Sequence, residues 1–193
     1  MSARLQDRCR RARLVCALVL LLGSTTGIAA TPRVVLETSM GTIELELFPA
    51  KAPVTVANFL KYVDNGYYDG VVFHRVIADF MIQAGGYDAD LKPRLPNAPI
   101  VNESNNGLHN VIGTVAMARL NAPDSATAQF FINVTDNPDL DFRIGRPGYA
   151  VFGRVSGGMN VVAAIAGVET RAAADLEDVP IEPVVILSAR RVK

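Results

Sequence analysis

Thiols and imidazoles are scarce in this chain, and tryptophan is absent from its 193 residues. The two cysteines are Cys9 and Cys16, and the two histidines are His74 and His109. Neither histidine has a partner at the spacing of a metal-ligand motif, and the chain after residue 30 contains no thiol. The sequence therefore predicts no metal centre and no disulfide framework in the folded domain.

Motifs for hydrolysis and for nucleotide binding are also missing. No G-x-S-x-G segment is present, which argues against an α/β-type serine hydrolase. The pair Gly85-Gly86 lies in neither a P-loop nor a dinucleotide fingerprint, so we interpret it as a turn. A hydrolase or metalloenzyme on a β-barrel would need a catalytic constellation that this chain does not show, and inhibition by a chelator would revive that alternative.

The chain has one long apolar run, close to its N-terminus. Five arginines precede residues 14–22, and small residues ending at Ala30 follow them. This order is typical of a secretory signal peptide, and the run is shorter than the roughly 20 apolar residues of a transmembrane helix. We expect residues 1–30 to be a signal peptide that is cleaved after Ala30 on the general secretory route. An uncleaved membrane anchor and twin-arginine export through Arg10-Arg11 are the alternatives.

Removal of the first 30 residues changes the charge balance. They contain five of the 19 basic and one of the 19 acidic residues, so the remainder has a formal charge of −4 and no basic stripe. Nucleic-acid binding by phosphate neutralisation is therefore not expected. Residues 31–193 suffice for one compact domain and are too few for two of ordinary size.

The hydrophobic pattern predicts many short strands and two helices. Residues 34–47 alternate apolar and polar side chains around a Ser-Met-Gly turn, which indicates a hairpin. A helix is predicted from Pro53 to Asn65-Gly66, and a second, Ala-rich helix from Met159 to Ala166 with Met159, Val162, Ala163 and Ala166 on its apolar face. Further short apolar segments are 71–73, 80–83, 111–117, 130–133, 151–155 and 184–187, the last expected to be covered on both sides. This pattern favours a closed or nearly closed antiparallel β-barrel.

Two clusters combine apolar groups with amides. The first places Arg75 shortly before Phe80, Met81 and Gln83, and the second follows Met117-Ala118-Arg119 with Gln129-Phe130-Phe131-Ile132-Asn133. An arginine alone would ordinarily be a surface residue, and Phe and Met alone would be core residues. Their combination predicts an apolar pocket with a polar edge.

With the segment 149–153, Tyr-Ala-Val-Phe-Gly, these clusters resemble the cyclophilin family of peptidyl-prolyl isomerases, and the resemblance extends from Val34 to the C-terminus. It implies a mainly β fold, a closed eight-stranded antiparallel β-barrel capped by two α-helices, over residues 31–193. It also implies isomerisation of X-Pro bonds without a cofactor or a metal.

The resemblance further implies a role for individual side chains. Arg75 and Gln83 are expected to be catalytic, with Gln83 and Gln129 orienting Arg75 and the substrate backbone. The residues expected to bind substrate are Phe80, Met81, Ala118, Arg119, Gln129, Phe131, Leu140 and Tyr149. His74 is expected to be structural, within hydrogen-bonding reach of a backbone group.

One position departs from the family. Asp139 stands ten residues after Gln129, where the family usually carries Trp or Phe, an aromatic that helps to bind the inhibitor cyclosporin. A one-residue shift in this loop would bring Leu140 or Phe142 to that place instead. We therefore expect weak cyclosporin binding.

The chain resembles the bacterial periplasmic members of the family, especially in segments 131–134 and 149–152. This likeness implies a monomer that acts in the periplasm on proline-containing peptides and unfolded exported proteins, and that has no membrane attachment once the leader is removed. A binding module that uses the same groove as a chaperone, with weak or no catalysis, is the alternative. The absent aromatic at Asp139 favours that module, whereas Arg75 argues against it because a pure binder has no need of the guanidinium.

Overall fold

The computed structural model describes residues 31–192. Eight strands close into a barrel in which every neighbouring pair is antiparallel, in the order β1-β10-β3-β4-β6-β5-β7-β2. These strands are β1 Arg33–Thr38, β2 Gly41–Leu47, β3 Val71–Ile77, β4 Met81–Asp88, β5 Thr114–Met117, β6 Phe130–Asn133, β7 Val151–Gly157 and β10 Val185–Arg191. The predicted closed eight-stranded antiparallel barrel is confirmed.

The N-terminal hairpin forms as its alternating pattern predicts. Ile43, Leu45 and Leu47 of β2 are fully buried, and the glutamates between them are partly exposed. The turn at Ser39-Met40 joins β1 to β2 in continuous register. This alternation turns one face of each strand into the barrel core.

Two helices pack their apolar faces against the barrel core. Helix α1 spans Pro53–Asp64, with proline in its first turn, and helix α2 spans Met159–Ala166. The predicted bounds of both are confirmed. On the predicted apolar face of α2, Val162 is buried and Met159 and Ala166 pack against the core, but Ala163 is exposed, and Ile165, which was not predicted, is buried. The Ala-rich sequence concealed this, because alanines add little apolar area to either side.

Other local predictions fail at the strands. A second small sheet, the hairpin β8 Thr170–Ala173 and β9 Leu176–Pro180, was not predicted because its sequence lacks an apolar run. Leu187 of β10 is 59% exposed, so residues 184–187 are not covered on both sides. Gly85-Gly86 is no turn but lies inside β4.

The two faces of the strands carry different apolar clusters. Phe130 and Ile132 of β6 belong to the large core inside the barrel, whereas Phe131 points the other way. A smaller cluster of Met81, Ala116, Phe131 and Val151 therefore lies on the outer face of β4, β5, β6 and β7. It is the floor of the site described below.

The predicted leader lies outside the described residues. Within residues 31–192, neither helix has the length and apolar character needed to cross a bilayer.

Candidate active site

The two sequence clusters meet on the outer face of the barrel. They line a pocket of about 290 Å³, whose walls are Arg75, Phe80, Met81, Gln83, Ala118, Arg119, Phe131, Leu140 and Tyr149. Nine of the ten predicted site residues are therefore side by side, and the tenth, Gln129, lines the adjoining groove with Gln83, Ala118 and Arg119.

Strand pairing explains how distant residues converge. Arg75 of β3 is the register partner of Gln83 of β4, and Gln83 is in turn the partner of Phe131 of β6. Phe131 also faces Ala116 of β5. Because these partners share one face of the sheet, a row of outward side chains runs from the guanidinium to the apolar floor.

The floor and far wall of the pocket are apolar. Met81 and Phe131 are nearly fully buried, and Phe80 and Leu140 pack against them while partly exposed. The rings of Phe131 and Tyr149 meet edge to face, with centroids 5.7 Å apart and planes at 77°. Such pairing holds both rings in place and leaves a slot open to a small apolar group.

Arg75 stands at the polar edge of this slot. Its side chain is 41% exposed, and its Nε lies 3.6 Å from a carboxylate oxygen of Asp178, in β9. This distance is that of an ion pair rather than a hydrogen bond. Gln83 does not bond to Arg75: its amide instead donates to Gln129 Oε1 at 2.8 Å. Orientation of Arg75 by Gln83 thus stays a prediction.

The Arg119 side chain is held by hydrogen bonds to backbone carbonyls. Its guanidinium donates to the carbonyls of Gly148 at 3.0 Å and Pro147 at 2.7 Å, and lies 4.7 Å from the centre of the Tyr149 ring. The backbone N–H of Ala118 donates to the Gln129 carbonyl at 3.0 Å. Arg119 therefore fixes the segment that carries Tyr149 against the edge at Ala118.

Comparisons with known proteins agree with this geometry. Residues 33–191 match the family model described as cyclophilin type peptidyl-prolyl cis-trans isomerase/CLD. The chain belongs to the cyclophilin family. It is 58% identical over 158 residues to a peptidyl-prolyl cis-trans isomerase of Streptomyces antibioticus, covering 80% of this chain and 95% of that one.

Other relatives extend the match. This cyclophilin is 48% identical over 186 residues to peptidyl-prolyl cis-trans isomerase A of Dickeya dadantii, covering 94% and 98% of the two chains. On fold alone it matches a crystal structure of a Cryptosporidium parvum cyclophilin with a TM-score of 0.70 and 24% identity, over 84% of this chain and 98% of that one. The chain is thus a cyclophilin-type peptidyl-prolyl cis-trans isomerase.

The loop with the unusual aspartate contributes one side chain to the cyclophilin pocket. Leu140 lines the pocket, whereas Asp139 does not and is 84% exposed. Asp139 pairs with Arg143 at 2.9 Å and lies 4.0 Å from Arg146. Asp139 is therefore part of a solvated ion pair and contributes no apolar surface to the pocket.

Asp141 anchors the same loop to the segment that contains His109 and Asn110. It accepts hydrogen bonds from the Asn110 N–H and from His109 Nδ1, both at 2.7 Å. Burial acts to raise the pKa of Asp141, but these hydrogen bonds outweigh it and leave the pKa below its ordinary value. The Tyr149 N–H donates to the Leu140 carbonyl at 2.9 Å, so the anchor also holds two pocket residues together.

His74 precedes Arg75 in β3 and is only 3% exposed. Its Nδ1 has no hydrogen-bond partner among the residues that the structure describes, and its ring packs against Tyr87 with centroids 4.7 Å apart. Burial lowers the pKa of His74 to about 4, against weaker opposing effects of the Val72 backbone and Gln129. The ring is therefore neutral near pH 7.

No feature of the sequence pointed to Asp178. This residue belongs to no motif and lies in the hairpin that the pattern did not predict. Only the packing of β9 against β3 makes it a neighbour of Arg75.

Proposed function

We propose that this isomerase acts on X-Pro bonds of exported proteins, assisting their folding in the periplasm, and that the Arg75 pocket is its active site. The observation that carries the active-site assignment is the position of a guanidinium at the open edge of an apolar slot. The export role is supported by the leader pattern of residues 1–30.

The reaction has one barrier, rotation about the X-Pro amide bond. Amide resonance keeps the X-Pro bond planar, and uncatalysed interconversion takes tens to hundreds of seconds, although the two isomers differ little in free energy. A catalyst therefore has to stabilise the twisted amide. Neither a nucleophile nor a proton transfer is required.

Arg75 supplies that stabilisation. As the amide twists, its nitrogen loses resonance and becomes pyramidal, and a guanidinium N–H donates to the lone pair that this change releases. The hydrogen bond forms mainly in the transition state, which is the condition for lowering a barrier rather than only binding substrate. Arginine suits the role because it stays protonated and offers several donors in a rigid fork.

The apolar wall binds the proline ring. Met81, Phe131 and Leu140 provide the surface against which the ring loses its contact with water, and Ala118 and Gln129 border the path of the extended peptide. A structure of the C. parvum cyclophilin was determined in the presence of the dipeptide Ala-Pro. We infer the same class of ligand for this pocket.

The rate test uses the cis-to-trans interconversion of a short X-Pro peptide with purified residues 31–193. Arg75→Ala should reduce kcat/KM at least about tenfold, roughly 1.4 kcal/mol of lost transition-state stabilisation. Arg154→Ala is a matched control, because Arg154 is an exposed arginine paired with Glu46 on the barrel. Equal rates for the parent and Arg75→Ala would refute the role of Arg75, and an inactive, folded parent would favour a peptide-binding module.

Export is tested with the full chain in a Gram-negative host. We expect a monomer in the periplasmic fraction whose N-terminal residue is Thr31. Membrane-bound protein that retains residues 1–30 would contradict cleavage and support the uncleaved anchor.

A further inference from the structure

The hairpin β8–β9 brings one carboxylate to the edge of the active site. Strand β9 packs along β3, and Asp178 Oδ2 lies 3.6 Å from Arg75 Nε. Val179 and Pro180, the next two residues, are buried and line a small cavity with Val72 and Phe73 of β3. The hairpin is therefore anchored on the same strand that carries Arg75.

The backbone of Asp178 has an unusual conformation for a strand. Its φ is 58°, in the left-handed region, and the pairing of β8 with β9 is irregular between Arg171 and Ala173. A break of this kind changes the direction in which a side chain leaves the strand. Aspartate and asparagine adopt the left-handed region more readily than other side chains, so the residue type suits this position.

Asp178 contacts one particular edge of the guanidinium. The carboxylate is beside Nε, and within residues 31–192 Asp178 is the only acidic partner of Arg75. The Gln83 amide, which the sequence predicted for this task, donates to Gln129. A carboxylate on the Nε edge limits rotation of the guanidinium plane and leaves the two terminal nitrogens for the substrate.

We propose that Asp178 is a positioning residue: it holds the Arg75 guanidinium in the orientation that stabilises the twisted X-Pro amide. The proposal rests on the proposed role of Arg75. On this proposal the β8–β9 hairpin raises the rate of isomerisation by positioning Arg75, and it does not contact the substrate.

The kinetic test compares Asp178→Asn with the parent. Asparagine keeps the size of the side chain and tolerates the left-handed backbone, so only the charge is lost. We expect kcat to fall about threefold with KM unchanged, in line with the strength of a half-exposed ion pair. Asp175→Asn is the control, since Asp175 lies in the same hairpin with a φ of 62° and is exposed; its kcat should equal that of the parent.

Two further measurements separate positioning from folding of the hairpin. The Nε–H resonance of Arg75 in NMR spectra should shift and lose order in Asp178→Asn but not in Asp175→Asn. In an Arg75→Ala background, adding Asp178→Asn should leave the residual rate unchanged, because the positioned group is gone. If Asp178→Asn misfolds, Asp178→Gly repeats the test, because glycine accepts a positive φ without strain.

The outcomes distinguish this proposal from the one on which it rests. Full activity of Arg75→Ala would overturn the role of Arg75 itself. A large loss in Arg75→Ala, together with an unchanged rate and an unchanged Arg75 Nε–H signal in Asp178→Asn, would overturn the role of Asp178 alone. An equal loss from Asp178→Asn in the parent and in Arg75→Ala would also overturn it, since the effect would then be structural.

Discussion

Gln83 and Gln129 are joined side chain to side chain by a hydrogen bond of 2.8 Å, beside the catalytic arginine proposed above. The bond links β4 to the residue that precedes β6 and lies between the pocket at Arg75 and the adjoining groove. Gly86 makes it possible, because a Cβ there would lie 2.5 Å from Gln129 Nε2.

Gly86→Ala should therefore reduce activity while the protein stays folded. The methyl group meets only the end of a flexible side chain, so Gln129 moves aside and the Gln83–Gln129 bond is lost. We expect kcat/KM to fall about three- to tenfold, the equivalent of one hydrogen bond. Gly167→Ala is the control, since its Cβ would have no neighbour closer than 3.6 Å; an equal effect of both variants would contradict the argument.

Substitution of Phe131 should affect substrate binding, whereas substitution of its neighbour Phe130 should affect stability. Phe131 lines the pocket and Phe130 the core, on opposite faces of β6. Phe131→Leu should raise KM for an X-Pro peptide, whereas Phe130→Leu should leave KM unchanged. Urea unfolding should show a loss of about 1 to 2 kcal/mol for Phe130→Leu, less than for truncation to alanine. A raised KM in Phe130→Leu would show that the two faces are not independent.

His74 should make stability depend on pH. The folded pKa is about 4 and the unfolded one about 6.5, so between these values the unfolded chain binds a proton that the folded chain does not. The contribution of neutral His74 to the free energy of unfolding is fully present above pH 6.5. It falls as the pH is lowered, by about 2 to 3 kcal/mol at pH 4.5. Urea unfolding of His74→Gln should lack this part of the decrease, and parallel profiles for the variant and the parent would contradict the assignment.

Asp139→Trp should strengthen binding of cyclosporin. The substitution replaces the solvated pair with Arg143 by an aromatic side chain next to Leu140, which lines the pocket, and we expect the Kd to fall about tenfold or more. Because the chain contains no tryptophan, fluorescence of the new side chain reports on binding directly. Asp139→Ala tests removal of the charge alone, and equal affinities for the two variants, measured by calorimetry, would refute a role for the aromatic.

Regular alternation let the sequence predict much of the fold. In β2 the apolar residues recur at the period of a strand, and in α1 at that of a helix, so these two elements are already determined locally. The pocket residues were predictable for another reason: Arg75, Gln83 and Phe131 stand in short motifs of a known family. Where local signals were weak, the hairpin β8–β9 was missed and the buried face of the Ala-rich helix α2 was predicted only in part.

Local patterns and family motifs thus specify the barrel, its two main helices and the residues that line the pocket. The connections between these residues depend on tertiary packing: Gln83 bonds to Gln129 rather than to Arg75, and Asp178 is the carboxylate beside the guanidinium. Periodicity records which face a side chain occupies. It does not record which partner lies within a few ångströms, because that depends on how strands distant in the chain pack together and on single backbone angles such as that of Asp178.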